Sequence, residues 1–97
     1  MKWYTFYQFT DCGRLIGPDY VIVVAPNSHA ANATAELHGI YFDGCEKHLD
    51  CPHCGDRWLR VDEDCGNDSP SIFGEPATPS ADTLFVYLDG RVEGGKQ

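Results

Sequence analysis

Positive charge is what this chain has least of. Seven Lys and Arg stand against fifteen Asp and Glu, a formal charge of −8 over 97 residues. Arg57, Arg60 and Arg91 are scattered among acids, with no basic cluster. Such a surface repels a phosphate backbone and an anionic membrane, which disfavours nucleic acid and membrane as partners. It suits a basic patch on another protein, imitation of nucleic-acid charge, or solubility alone. No run of about eighteen apolar residues is available for a membrane span. The opening MKWYTFYQFTDCG is aromatic-rich and has no apolar core ending in small residues, as a secretory signal would, so a cytosolic location is expected. Thiols stay reduced there, and five cysteines are an odd number. Metal ligands or free thiols are therefore expected before disulfides. Also missing are an internal repeat, a heptad pattern, the H-E-x-x-H zinc motif and the deaminase pair H-x-E and P-C-x-x-C. Here His38 is followed by Gly-Ile, and Asp precedes Cys51.

What is present is the composition of a globular protein, 42% hydrophobic with five Phe, five Tyr and two Trp. A chain this short has room for one core, so residues 1–97 are expected to form a single domain. WYTFYQFT, residues 3–10, reads as a strand with Trp3, Thr5, Tyr7 and Phe9 on one face. YVIVVAP, residues 20–26, is a β-branched run that predicts a central strand covered on both faces. A helix should follow, with Asn27 or Ser28 as N-cap and Gly39 ending it in the left-handed conformation. Ala30, Ala33 and Leu37 form its expected apolar stripe, with His29 and His38 facing solvent. IYFDG and DRWLRV, residues 40–44 and 56–61, predict further strands, and residues 62–82 an irregular surface loop. TLFVYLDGRVEGG predicts a strand, an Asp89-Gly90 turn and a return strand, with a flexible end at 93–97. The fold class is α+β: a small, mostly antiparallel sheet of four to five strands, one packed helix and an irregular zinc-knuckle loop.

The chemistry is concentrated in DGCEKHLDCPHCGDRW, residues 43–58. Cys51-Pro-His-Cys54-Gly55 is half of a zinc knuckle. Two thiolates three residues apart can share one tetrahedral ion, and a glycine after the second allows the tight positive-φ turn. Cys45 and His48, a C-x2-H, can complete a Cys3His set, which places the metal-binding segment at 43–65. Only Leu49 and Asp50 separate the halves, so Cys65 and His53 stay open as alternative ligands, and Cys12 reads as a buried thiol. An iron-sulfur series would need cysteine where His48 stands. The other reading is reduced cysteines with no metal. With the deaminase and H-E-x-x-H patterns both absent, any zinc is expected to brace the fold. Asp56, Arg57 and Trp58 form a second candidate set, either a recognition surface or a turn followed by core.

GIYFDGC, DCPHCGDRW and SIFGEP resemble a group of small uncharacterised proteins of tailed bacteriophages, over roughly residues 20–76. The motif positions are Tyr41, Phe42, Asp43, Gly44, Cys51, Cys54, Gly55, Asp56, Arg57 and Trp58. His53 stands where the group commonly has Cys, which favours it as a ligand, whereas His48 lies off the motif and Cys45 is not constant. The resemblance implies a phage accessory protein in the host bacterial cytoplasm, with a host or phage protein as partner. Two functions are expected from it and the residues together. One is a non-enzymatic zinc-stabilised interaction module. The other is a small metal-dependent enzyme or small-molecule binder built from Tyr41, Asp43, Asp56 and Arg57.

Overall fold

The computed structural model describes residues 1–8, 18–49 and 55–95. Among these residues the strands are β1 (Lys2–Tyr7), β2 (Tyr20–Ala25), β3 (Ser71–Ile72), β4 (Glu75–Pro76), β5 (Thr83–Val86) and β6 (Val92–Gly94), with one α-helix, α1 (Ser28–Leu37). Four strands make the main sheet in the order β1-β2-β5-β6. β1 and β6 run antiparallel to their neighbours, and the central pair β2 and β5 is parallel. The expected class, small α+β with a mostly antiparallel sheet and one helix, is what forms. A parallel pair needs a long crossover, and the chain between β2 and β5 supplies α1 and the cysteine segment as that connection.

The β-branched run of β2 is covered on both faces, with Val21, Ile22 and Val23 all essentially inaccessible. On one face Tyr4 and Phe6 of β1 sit opposite Val23 and Val21 and join Val86, Ala31, Ala35, Ile40, Phe42, Trp58 and Val61 in the core. On the other, Ile22 and Phe85 are buried. Rings cover this face: Trp3 lies 5.9 Å from Phe85 and 6.1 Å from Tyr87, while Tyr7 and Tyr20 meet Phe73.

Asn27 caps α1, its Oδ1 accepting from Ala30 N at 2.8 Å. At the other end Ile40 N donates to Ala35 O and Gly39 N to Glu36 O, with Gly39 at φ 96°. This is the Schellman arrangement the sequence placed there. The buried stripe differs from the expected one. Ala31 and Ala35 face the sheet, Ala33 is exposed and Leu37 is 83% exposed. One residue is 100° of helix, and two alanines four apart give the flat face that lies against β2, a criterion that outranks total hydrophobicity. Leu37 instead borders a groove of about 200 Å³, beside His38, Tyr87 and Leu88.

Residues 40–43 and 55–61 do not form the expected strands. Arg57 and Trp58 are consecutive buried residues, at 8% and 5% exposure, which breaks the alternation a strand requires. Val61 finds its partner in a side chain: its N–H donates to Asn32 Oδ1 (2.9 Å) and its carbonyl accepts from Asn32 Nδ2 (3.1 Å). Residues 62–82 are more ordered than a surface loop. A 3-10 turn (Glu63–Cys65) leads to an Asn67 that pairs with the outer edge of β1 at Trp3. The β3-β4 hairpin follows, held to β1 by Thr5 Oγ1 donating to Ser71 O at 2.6 Å. Glu93 and Gly94 belong to β6, and Gly95 N donates to Ser80 O.

Candidate metal-binding loop

Asp43 begins the loop with φ 59°, a left-handed position that Asp tolerates better than most side chains. Residues 44–47 then make one helical turn, with Lys47 N donating to Asp43 O at 3.0 Å. It closes as α1 does: Leu49 N donates to Gly44 O (2.7 Å), His48 N to Cys45 O (3.2 Å), and His48 takes the left-handed position at φ 64°. Cys45 and His48 thus sit on a single turn, Cys45 half-buried and His48 exposed. Cys51, His53 and Cys54 lie outside the described residues, as does Cys12. Gly55, next in sequence, has φ 89°, the conformation expected of the glycine after a knuckle's second cysteine. Among the described residues, no three His, Cys, Asp or Glu side chains gather as a metal site.

Side-chain ties hold the loop at its base. Arg60 donates to both oxygens of Asp43, at 3.2 and 2.9 Å, and its guanidinium lies 4.9 Å from the centre of the Phe42 ring. The hydrogen bond from Arg60 holds the Asp43 carboxyl below the usual range, and the same bond raises Arg60. One step further in, Cys45 N donates to Asp56 Oδ1 at 2.9 Å. Residues 43 and 60, and 45 and 56, are therefore cross-tied on either side, in sequence, of the cysteine-histidine segment. Sequence reasoning named Asp43, Cys45 and Asp56 but not Arg60, because a carboxylate and an arginine seventeen residues apart carry no pattern.

The other candidates have separate places. Arg57 is buried and donates Nη1 to Gln8 Oε1 at 2.9 Å, and Trp58 belongs to the core. Neither offers the exposed recognition surface considered for the Asp56–Trp58 stretch. Tyr41 is partly buried against the core. Cys65 is exposed and spends its sulfur as a cap, Sγ accepting from Asp62 N at 3.5 Å. It borders a pocket of about 120 Å³ with Thr5, Tyr7 and Arg60. Tyr41, Asp43, Asp56 and Arg57 line neither this pocket nor the groove beside α1.

A residue the sequence did not single out occupies the start of α1. Glu63 accepts from Ser28 N through Oε1 and from the Tyr4 hydroxyl through Oε2 at 3.4 Å. The Ser28 backbone bond, then its side chain and Tyr4, hold this carboxyl below its ordinary value. An exposed helix start is a ready anion site; here the chain fills it with its own carboxylate.

Fold and loop together define a small α+β domain carrying a cysteine-histidine loop cross-tied at its base. The chain belongs to the family described as a domain of unknown function, DUF7296, which it matches over residues 1–95. No curated protein and no solved structure matches it. No helix among the described residues is long and apolar enough to cross a membrane.

Proposed function

We propose that the chain is a non-enzymatic, zinc-stabilised protein-interaction module, an accessory protein of tailed bacteriophages that acts on a host or phage protein in the bacterial cytoplasm. The observation that carries the metal half of this reading is the doubly tied loop. Asp43–Arg60 and Cys45–Asp56 bring the two ends of a Cys- and His-rich segment together, and Gly55 already has the knuckle's positive φ. Cys51 and Cys54 supply two ligands, and Cys45 with His48 or His53 the rest. Thiolate and imidazole are the donors that structural zinc takes. Bound there, zinc would cross-link the loop and add its binding energy to folding.

A bracing role is favoured over a catalytic one because the carboxylates at the loop base are engaged. Asp43 is clamped by Arg60, and Asp56 accepts from Cys45 N. The charge of −8 supports a partner with a basic surface and a complex that weakens with salt. The test is zinc content by elemental mass spectrometry of wild type, Cys51→Ser, Cys54→Ser, His48→Ala and His53→Ala, purified without added metal. About one zinc per chain, lost with either cysteine and one of the histidines, is the expected result for a four-ligand site. A folded, metal-free wild type with free thiols would overturn it.

A further inference from the structure

The stretch SIFGEP, residues 71–76, is the β3-β4 hairpin, with Ser71 opposite Pro76 and Ile72 opposite Glu75. Its two turn residues both have positive φ, 52° at Phe73 and 83° at Gly74. Two-residue turns of this kind favour Asn-Gly or Asp-Gly, because a bulky side chain is strained in the left-handed region. Phe73 accepts that strain without being buried in return: it is 73% exposed, and hydrophobic stabilisation scales with the area removed from water.

What its surroundings give Phe73 is an aromatic footing. The ring stands edge-on to Tyr7, with centroids 5.0 Å apart, and to Tyr20, at 6.3 Å. The hairpin beneath is pinned by Thr5 to Ser71 O and closed by Ala77 N donating to Pro70 O. An exposed aromatic already packed against neighbouring rings has less rotamer freedom to lose on docking than an unsupported one, which suits an interface anchor. No Lys or Arg stands within two residues of Tyr7, Tyr20 or Phe73, whereas Asp19 and Glu75 do.

We infer that Phe73, standing on Tyr7 and Tyr20, is the anchor with which this chain docks into an apolar pocket with a basic rim on a partner protein. The inference rests on the interaction-module reading and names its surface. A second copy of the chain is the less suitable occupant, because each carries the same charge of −8.

Two measurements test it. The first is urea unfolding of Phe73→Asn, a residue that tolerates the left-handed turn; the midpoint is expected to hold or rise. A fall as large as that of the core deletion Phe42→Ala would show that the ring serves the fold and would overturn the inference. The second is photo-crosslinking in bacteria producing the full chain, with p-benzoylphenylalanine in place of Phe73 or, separately, of Leu49 on the cysteine loop. The expected result is one discrete adduct from position 73, lost when untagged wild type is co-produced and retained with untagged Phe73→Asn. Its partner peptide should combine apolar residues with Lys or Arg. No adduct, equal competition by Phe73→Asn, or an adduct of two copies of this chain sinks the anchor. An adduct from position 49 alone leaves the interaction reading standing, and none from either position removes both.

Discussion

Asn32 does for Val61 what a neighbouring strand would do, accepting from its N–H and donating to its carbonyl. Val61 is buried, so both backbone groups need these partners. Asn32→Leu strips them and is expected to cost about 1–3 kcal/mol. Asn32→Asp keeps the acceptor, loses the donor and should also destabilise. Urea unfolding checks both, with a lower midpoint at unchanged slope as the expected outcome. Glu63 makes a different prediction because its contribution titrates. The folded state holds its carboxyl below the ordinary 4.5, so its stabilisation is complete above that pH and is lost as pH falls from there through the lower folded value. The stability difference between wild type and Glu63→Gln should therefore be constant near neutrality and shrink below pH 4.5. A difference that persists unchanged into acid would mean that the charge on Glu63 is not its source.

At the scale of elements, the loop base makes a prediction about local motion. The Asp43 and Arg60 side chains are 42% and 55% exposed, and exposed pairs add little to global stability. Their role is to hold two chain segments together, and the bidentate geometry is specific to arginine. Arg60→Lys is expected to leave the unfolding midpoint nearly unchanged while hydrogen exchange at the Cys45 and Leu49 amides accelerates. Equal protection in both proteins would assign the loop's order to other contacts. The elements that were legible in the sequence are those whose signals are local. Alternating aromatics marked β1, a β-branched run marked β2, Asn27 and Gly39 bounded α1, and Asp89-Gly90 marked the β5-β6 turn. Elements set by distant partners were not legible. The Ala31–Ala35 face of α1 is set by its packing against the sheet, residues 56–61 lose their alternation to the adjacent burial of Arg57 and Trp58, and the parallel pairing of β5 depends on the whole crossover. The site followed the same division: the cysteine spacing was local and visible, whereas Arg60, which closes the loop, lies far from Asp43 in sequence.

For the whole molecule, the proposed zinc changes the balance between a small core and the entropy of the chain. A domain of this length has a modest core of its own, and a ligand that binds only the folded state stabilises it by about 2.7 kcal/mol when present at 100 times its dissociation constant. In a domain of roughly 100 residues that corresponds to a midpoint shift on the order of 10 °C or more. A strong chelator is therefore expected to lower the wild-type thermal midpoint by at least that amount, and added zinc to restore it. The Cys51→Ser/Cys54→Ser double variant lacks both knuckle thiolates, so its midpoint should start low and respond to neither reagent. Cys65→Ser provides the contrast, since Cys65 caps the 3-10 turn through its sulfur. It should retain the full chelator response if the ligands are confined to residues 45–54, and lose it if Cys65 is the fourth ligand. A wild type whose midpoint is indifferent to the chelator, in a protein that unfolds cooperatively, would return the five cysteines to the role of ordinary thiols. The tied loop would then be a hydrogen-bonded element, with Arg60 and Asp56 among its ties.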